Sequence, residues 1–167
     1  MEKLWSPWRS KYIESFKSDP DKTKCIFCQM SNFNPNDAGN LLIDKGVYTF
    51  TLLNLYPYNN GHLMIVPFRH TSDFLSLSRD EYSEAMEKLQ LAQNALIKVL
   101  NPHGFNIGAN IGRVAGAGIE DHIHFHIVPR WNGDSNFMPV IGDVKVISQD
   151  LEETKMKLLK AYSELIK

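Results

Sequence analysis

The chain has 167 residues, 43% of them hydrophobic and 22% charged, with a formal net charge of −1 when histidine is neutral. That length suits one domain with a buried core and little more, and the near-neutral charge offers no general nucleic-acid or membrane surface. Apolar runs fall short of membrane-spanning length, and the opening MEKLWSPWRSKYIESF lacks the apolar core of a secretory signal, so the chain reads as cytoplasmic and must hold any phosphate-bearing ligand with local donors.

In chain order, residues 1–24 mix charges and aromatics without period and are expected to form an irregular arm. Cys25 and Cys28 are the two cysteines, spaced as half of a zinc site. A redox pair and free buried thiols are the alternatives. Redox pairs favour a strand–helix junction in a βαβ unit, and no such unit is visible here. Residues 29–40, QMSNFNPNDAGN, read as a loop. Strand-like runs follow at Leu41–Ile43, Val47–Leu53 and His62–Pro67, the last two joined by NLYPYNNG and so able to pair antiparallel.

Ser78 and Glu81 have capping-box spacing, and Tyr82, Ala85, Met86, Leu89, Ala92, Leu96 and Val99 recur with helical period, which predicts an amphipathic helix over about 78–100. Two more strands are expected at Phe105–Ile111 and His122–Val128. A last helix is expected over about 149–166, with Leu151, Leu158, Leu159, Tyr162 and Leu165 on its apolar side. Paired strands with helices set apart predict a single α+β domain over 1–167 built on an antiparallel sheet. Trp5, Trp8 and Trp131 read first as core aromatics, and alternatively as part of a subunit or substrate surface.

Three of the six histidines, His122, His124 and His126, alternate with Ile123, Phe125 and Ile127. On a strand such alternation gathers the imidazoles on one face and the apolar side chains on the other. The apolar face is expected to pack on the helices and the imidazoles to lie on the open face. Imidazole is a good nucleophile toward phosphorus, and neighbouring imidazoles place a proton or fix a tautomer. Ligation of a metal ion is the rival use of the same pattern. Upstream, Gly116 and Gly118 lie in a glycine-rich stretch that feeds directly into the histidines and whose amides can form an anion nest.

His122 through Val128 resembles the His-x-His-x-His signature of the histidine triad family, and the likeness extends to the N-terminal CxxC, to Asn54–His62, to Asn110–Pro129 and to the tail after Arg130. LWSPWRSKYI, NLYPYNNGHLMIVP, GRVAGAGIEDHIHFHIVPRW and GDSNFMPV look most like the family's phosphorylase branch, which acts on diadenosine tetraphosphate. The hydrolases of the family usually carry Gln four residues before the first triad histidine, where this chain has Gly118.

The resemblance implies the following roles. His124 is the nucleophile toward an α-phosphate. His126 contacts phosphate oxygens and assists the leaving group, and His122 supports and orients the nucleophile. Asn54 holds ribose hydroxyls, His62 lies just behind the site, and Asn110, Ala117 and Gly118 form the phosphate-binding turn. It also implies a structural zinc on Cys25, Cys28, His70 and His122 that the chemistry does not require, a homodimer, and inorganic phosphate or water as the second-step acceptor. Hydrolysis of dinucleoside polyphosphates or phosphoramidates is the enzymatic alternative. A zinc-stabilised nucleotide-binding adaptor without turnover is the alternative of another class.

Overall fold

The computed structural model describes residues 25–134 and 150–166. The N-terminal arm with Trp5 and Trp8 therefore lies outside the described residues, as does most of GDSNFMPV. The elements are α1 (Ile26–Met30), β1 (Leu42–Lys45), β2 (Thr49–Leu53), β3 (Leu63–Pro67), α2 (Arg79–Leu100), β4 (Gly104–Gly108), β5 (Phe125–Arg130) and α3 (Leu151–Leu165). The strands form one antiparallel sheet in the order β1-β2-β3-β5-β4. This is the α+β arrangement expected from the sequence.

Two apolar clusters divide the sheet's faces. Ile43, Leu53, Leu63, Ile65, Phe125 and Ile127 meet Ala85, Leu89, Ala92 and Leu96 of α2 and Leu158, Ala161 and Tyr162 of α3. Leu42, Phe50, Leu52, Met64 and Val66 form a second cluster with Phe27 of α1. Strands β2 and β3 are buried along their whole length because both faces are covered.

Helix α2 starts where the sequence places it. Ser78 accepts from the Glu81 backbone N–H, and the Glu81 carboxylate accepts from the Ser78 N–H. Glu81 also takes Arg69 in a two-pronged ion pair, which holds its carboxyl down at about 2. Asn101 ends the helix in the left-handed conformation, with φ of 46°. The helix is rotated from expectation: Tyr82 and Met86 are 46% and 44% exposed, while Glu81 and Ala95 face inward. In α3, Leu165 is exposed, and Lys155 is buried with its ammonium on the carbonyls of Asp37 and Asn40. A buried lysine here fastens the irregular 34–40 segment, a task that apolar periodicity does not reveal.

Strand limits differ for local reasons. Val47 and Tyr48 form a turn whose amides, with that of Thr49, donate to the Glu84 carboxylate, so β2 begins at Thr49. Strand β4 ends at Gly108, and Asn110–Ile111 fall in the glycine-rich stretch beyond it. The histidine strand pairs only from Phe125. Before that, the Ile123 N–H donates to the Thr71 carbonyl and the His122 ring bonds the Pro67 carbonyl. Residues 122–124 thus follow the chain that leaves β3 rather than continue the regular ladder.

Candidate active site and metal cluster

The triad imidazoles do not lie open. His122, His124 and His126 are buried: Phe27 of α1 lies against the first two, and the rings of Tyr58 and His62 lie against the third. The Phe27 ring sits 5.5 Å from the His122 ring and 4.9 Å from the His124 ring, centroid to centroid. The alternation itself holds for the paired part of the strand: Phe125 and Ile127 enter the helix-side core, while His126 lies opposite Met64 of the other cluster.

Each imidazole is oriented differently. His124 Nδ1 lies 2.9 Å from the His122 carbonyl oxygen, which has only lone pairs, so Nδ1 carries the proton and donates. In neutral His124 this leaves the Nε2 lone pair free, and no hydrogen bond occupies it among the described residues. It is therefore the backbone of His122, not its ring, that orients His124.

His126 is set by a chain of donors. The Tyr58 N–H donates to His62 Nδ1 at 3.0 Å, and the Asn54 amide NH₂ reaches the same nitrogen at 3.3 Å. Asn54 Oδ1 accepts the Tyr56 N–H at 2.9 Å, which fixes which end of the amide is which. His62 must then carry its proton on Nε2 and donate it to His126 Nδ1, 2.9 Å away. His126 in turn carries its proton on Nε2. That atom is buried and has no hydrogen-bond partner among the described residues. A buried donor without a partner is costly unless a ligand meets it. A lone pair on His124 Nε2 and an N–H on His126 Nε2, on rings 4.8 Å apart, make a nucleophile and a donor side by side.

Burial pushes the imidazoles of His122 and His124 below the ordinary histidine range. Burial and then the nearby His124 bring His126 down to about 4. The site is thus neutral at pH 7, as a nucleophilic imidazole requires. The unfolded chain takes up a proton at each histidine near pH 6.5 while folded His126 refuses one until about 4. The stabilisation present above pH 6.5 is therefore lost as pH falls toward 4, by about 1.4 kcal/mol per pH unit for this residue. Urea unfolding of the wild type and His126→Asn between pH 7 and 4.5 should show the steeper loss in the wild type. Parallel slopes would contradict the assignment.

The second cluster joins Cys25, Cys28, His70 and His122, whose ligand atoms lie within 4.8 Å of one another. His122 Nδ1 is 3.3 Å from Cys25 Sγ, 3.7 Å from Cys28 Sγ and 3.3 Å from His70 Nδ1, and Cys28 Sγ is 3.4 Å from His70 Nδ1. Tetrahedral zinc, with bonds of about 2.3 Å to sulfur and about 2.0 Å to nitrogen, has ligand–ligand edges of about 3.3–3.8 Å. The donor set and its spacing fit such an ion. His122 Nε2 donates to the Pro67 carbonyl at 2.9 Å, which turns the Nδ1 lone pair toward the cysteines in the manner of an outer-shell partner. Burial and then the adjacent Cys25 push the Cys28 thiol up, a balance that a bound cation would reverse.

The glycine-rich turn is tighter than expected. The positive φ angles fall at Gly112 and Gly116, at 80° and 93°, and not at Gly118. The Ala117 amide donates to the Gly112 carbonyl at 3.3 Å and so is already engaged. Gly118 makes no hydrogen bond among the described residues, and a Cβ placed there would meet nothing within 4 Å. Asn110 Nδ2 lies 3.9 Å from the position of a Cβ on Gly116, which keeps Asn110 at the same turn. Trp131 is half-buried at the exit of β5, its amide on Asp134. The sequence reading misses Phe27 and Tyr58. Phe27 is hidden between the two cysteines, and Tyr58 acts largely through a main-chain N–H that no side-chain pattern reports.

Residues 38–133 match the family model described as the HIT domain. The chain is 39% identical to the AP-4-A phosphorylase of Mycobacterium tuberculosis, over 95% of this chain and 83% of that one. It is 24% identical to the adenosine 5'-monophosphoramidase of Saccharomyces cerevisiae, over 85% of this chain and 80% of that one. Among solved structures, a Zn-bound histidine triad family protein from Mycobacterium smegmatis superposes with a TM-score of 0.67 at 27% identity, covering 86% of this chain and 96% of that one.

Proposed function

The chain belongs to the HIT family, and from that premise we propose that it is a nucleotide-processing enzyme that cleaves dinucleoside polyphosphates of the diadenosine tetraphosphate kind at an α-phosphate, passing the nucleotidyl group through His124. The observation that carries this reading is the pairing of a His124 Nε2 lone pair with the Nε2–H of His126, neither of which has a hydrogen-bond partner among the described residues. Similarity to an AP-4-A phosphorylase supports the substrate class.

His124 Nε2 attacks the α-phosphorus. The bond from that phosphorus to the bridging oxygen breaks, and the departing nucleotide leaves on that oxygen. The Nε2–H of His126 meets the negative charge that develops there. His62 and the Tyr58 amide hold His126 in the donating tautomer. The nucleotidyl-imidazolium left on His124 keeps its Nδ1–H on the His122 carbonyl, which stabilises the positive charge. An oxygen of inorganic phosphate then attacks the same phosphorus, the P–N bond breaks, and the imidazole returns. Diadenosine tetraphosphate plus phosphate would thus give ATP and ADP. Asn54 and Asn110 are proposed to contact the nucleotide.

Cys25, Cys28, His70 and His122 would hold one zinc ion, whose contribution is a closed tetrahedral cross-link between the N-terminal segment and the triad strand.

Phosphate is favoured as acceptor because Gly118 leaves open space, and an amide with no hydrogen bond among the described residues, where the family's hydrolases usually carry Gln. With Ala117's amide already engaged, Gly118 supplies the remaining main-chain donor of that pair. Product analysis tests this. Added phosphate should divert product from AMP to ADP, and Gly118→Gln, which the open space accommodates, should weaken phosphorolysis more than hydrolysis. Product that is AMP at every phosphate concentration would make the chain a hydrolase. Acid-labile label on the protein after incubation with labelled dinucleotide separates both enzymes from a binding protein without turnover.

A further inference from the structure

One of the two residues between the cysteines, Phe27, has no role in the reading above. Phe27 is 2% exposed and lies in the short stretch between Cys25 and Cys28 of the candidate metal cluster. Its helix has only five residues, too short to be stable in water on its own. Phe27 is therefore placed by the cysteine cluster around it and by the apolar cluster of Leu42, Phe50, Leu52, Met64 and Val66 beneath it. What it presents to the triad is a ring tilted 49° against His124 and standing nearly edge-on, at 80°, to His122.

We infer that Phe27 is a positioning residue for the His124 imidazole, and that it transmits the closure of the Cys25–Cys28–His70–His122 cluster to the nucleophile. Among the described residues the imidazole of His124 has one hydrogen bond, to the carbonyl of a residue two positions away. One bond leaves the ring free to rotate about it or to turn over, which would exchange Nδ1 and Nε2. The Phe27 face removes that freedom, keeps water from competing for the His122 carbonyl, and leaves Nε2 as the atom directed at phosphorus. Placement of a reacting atom to within an ångström is worth up to about 100-fold in rate. A second link runs from the same cluster: the Thr71 carbonyl, next to His70, accepts the Ile123 N–H at 2.7 Å and fixes the backbone between His122 and His124. Phe27 thus contributes without touching the reacting atoms.

This inference rests on the proposed role of His124, and the test keeps the two apart. The full chain with its bound metal is mixed with labelled diadenosine tetraphosphate, and the amplitude and rate constant of protein labelling are followed by rapid quench. Imidazole ¹⁵N spectra report the His124 tautomer independently of turnover. Phe27→Ala should keep its metal and its labelling amplitude, while the rate constant falls about 10–100-fold and the His124 signals move from the single Nδ1–H form to a mixture. Phe27→Leu, which retains apolar bulk, should lie between Ala and wild type. If Phe27→Ala does not fold, Phe27→Leu carries the test, with a rate constant lowered about threefold or more. A rate constant unchanged at reduced amplitude would mean a merely structural residue. An unchanged limiting rate constant with weaker substrate saturation would mean a substrate contact. An unchanged tautomer would mean that the ring is fixed elsewhere. Each of these three overturns the inference. Absence of label in the wild type would instead remove the His124 reading, and the spectra would still decide whether Phe27 orients the ring.

Discussion

His124→Ala is expected to lower turnover of diadenosine tetraphosphate by about four orders of magnitude or more, because it removes the atom proposed to receive the nucleotidyl group. The variant should still fold. His124 is 5% exposed, so a cavity forms beneath Phe27, and the cost is about 1–3 kcal/mol. The orphaned acceptor is the His122 carbonyl, which water can reach once the ring is gone. The candidate metal ligands remain, since His122 would bind through its own ring. The informative comparison is therefore turnover against nucleotide binding and metal content, measured on the same preparation. Turnover should vanish while the other two persist. Near-normal activity would remove the covalent mechanism altogether.

The triad and the cysteine pair were legible in the sequence because both are side-chain patterns of short period. His122, His124 and His126 alternate, and CxxC places two thiols on one turn. That His70 would join them was implied only by the resemblance, since nothing in the run Pro67–Thr71 marks a ligand by itself. The structure brings His70 Nδ1 to 3.3 Å from His122 Nδ1 because residues 67–71 run alongside 122–124.

What remained hidden is of two kinds. Main-chain groups leave no signature, so neither the Tyr58 N–H that fixes the tautomer of His62 nor the His122 carbonyl that holds His124 could be read from residue types. Burial on the second face of the sheet was misjudged because the cover is a single helical turn. Ile26–Met30 is too short for periodicity to detect, and yet its Phe27 lies against His122 and His124 on a face expected to be open. The inward turn of Glu81 and Lys155 is a further case. Charged residues are assigned to the surface unless their partners are known, and these partners, Arg69 and the carbonyls of Asp37 and Asn40, come from other elements.

Cys25→Ser should lose the bound metal and with it much of the protein's thermal stability. Four converging donors would make metal binding part of folding, because the unfolded chain holds no preformed site. Serine keeps the shape of cysteine but offers no thiolate at neutral pH, so the site falls to three ligands with one anionic charge fewer. If about 5 kcal/mol of the binding free energy supports the fold, the melting temperature should drop by about 10–20 °C for a chain of this size. His70→Ala should cost less, since His70 lies on the exposed rim of the cluster, where a water molecule can take the vacant position. His122 cannot be used for the same comparison, because its Nε2–H also donates to the Pro67 carbonyl and ties the triad strand to the end of β3. The measurements are elemental analysis of freshly purified, chelator-free protein and thermal melts with and without chelator. Wild type should carry about one zinc per chain and melt earlier in chelator, whereas Cys25→Ser should melt at one lower temperature whether or not chelator is present. Wild-type protein that contains no metal, or that melts identically with and without chelator, would refute the site and leave the two thiols as a half-buried free pair.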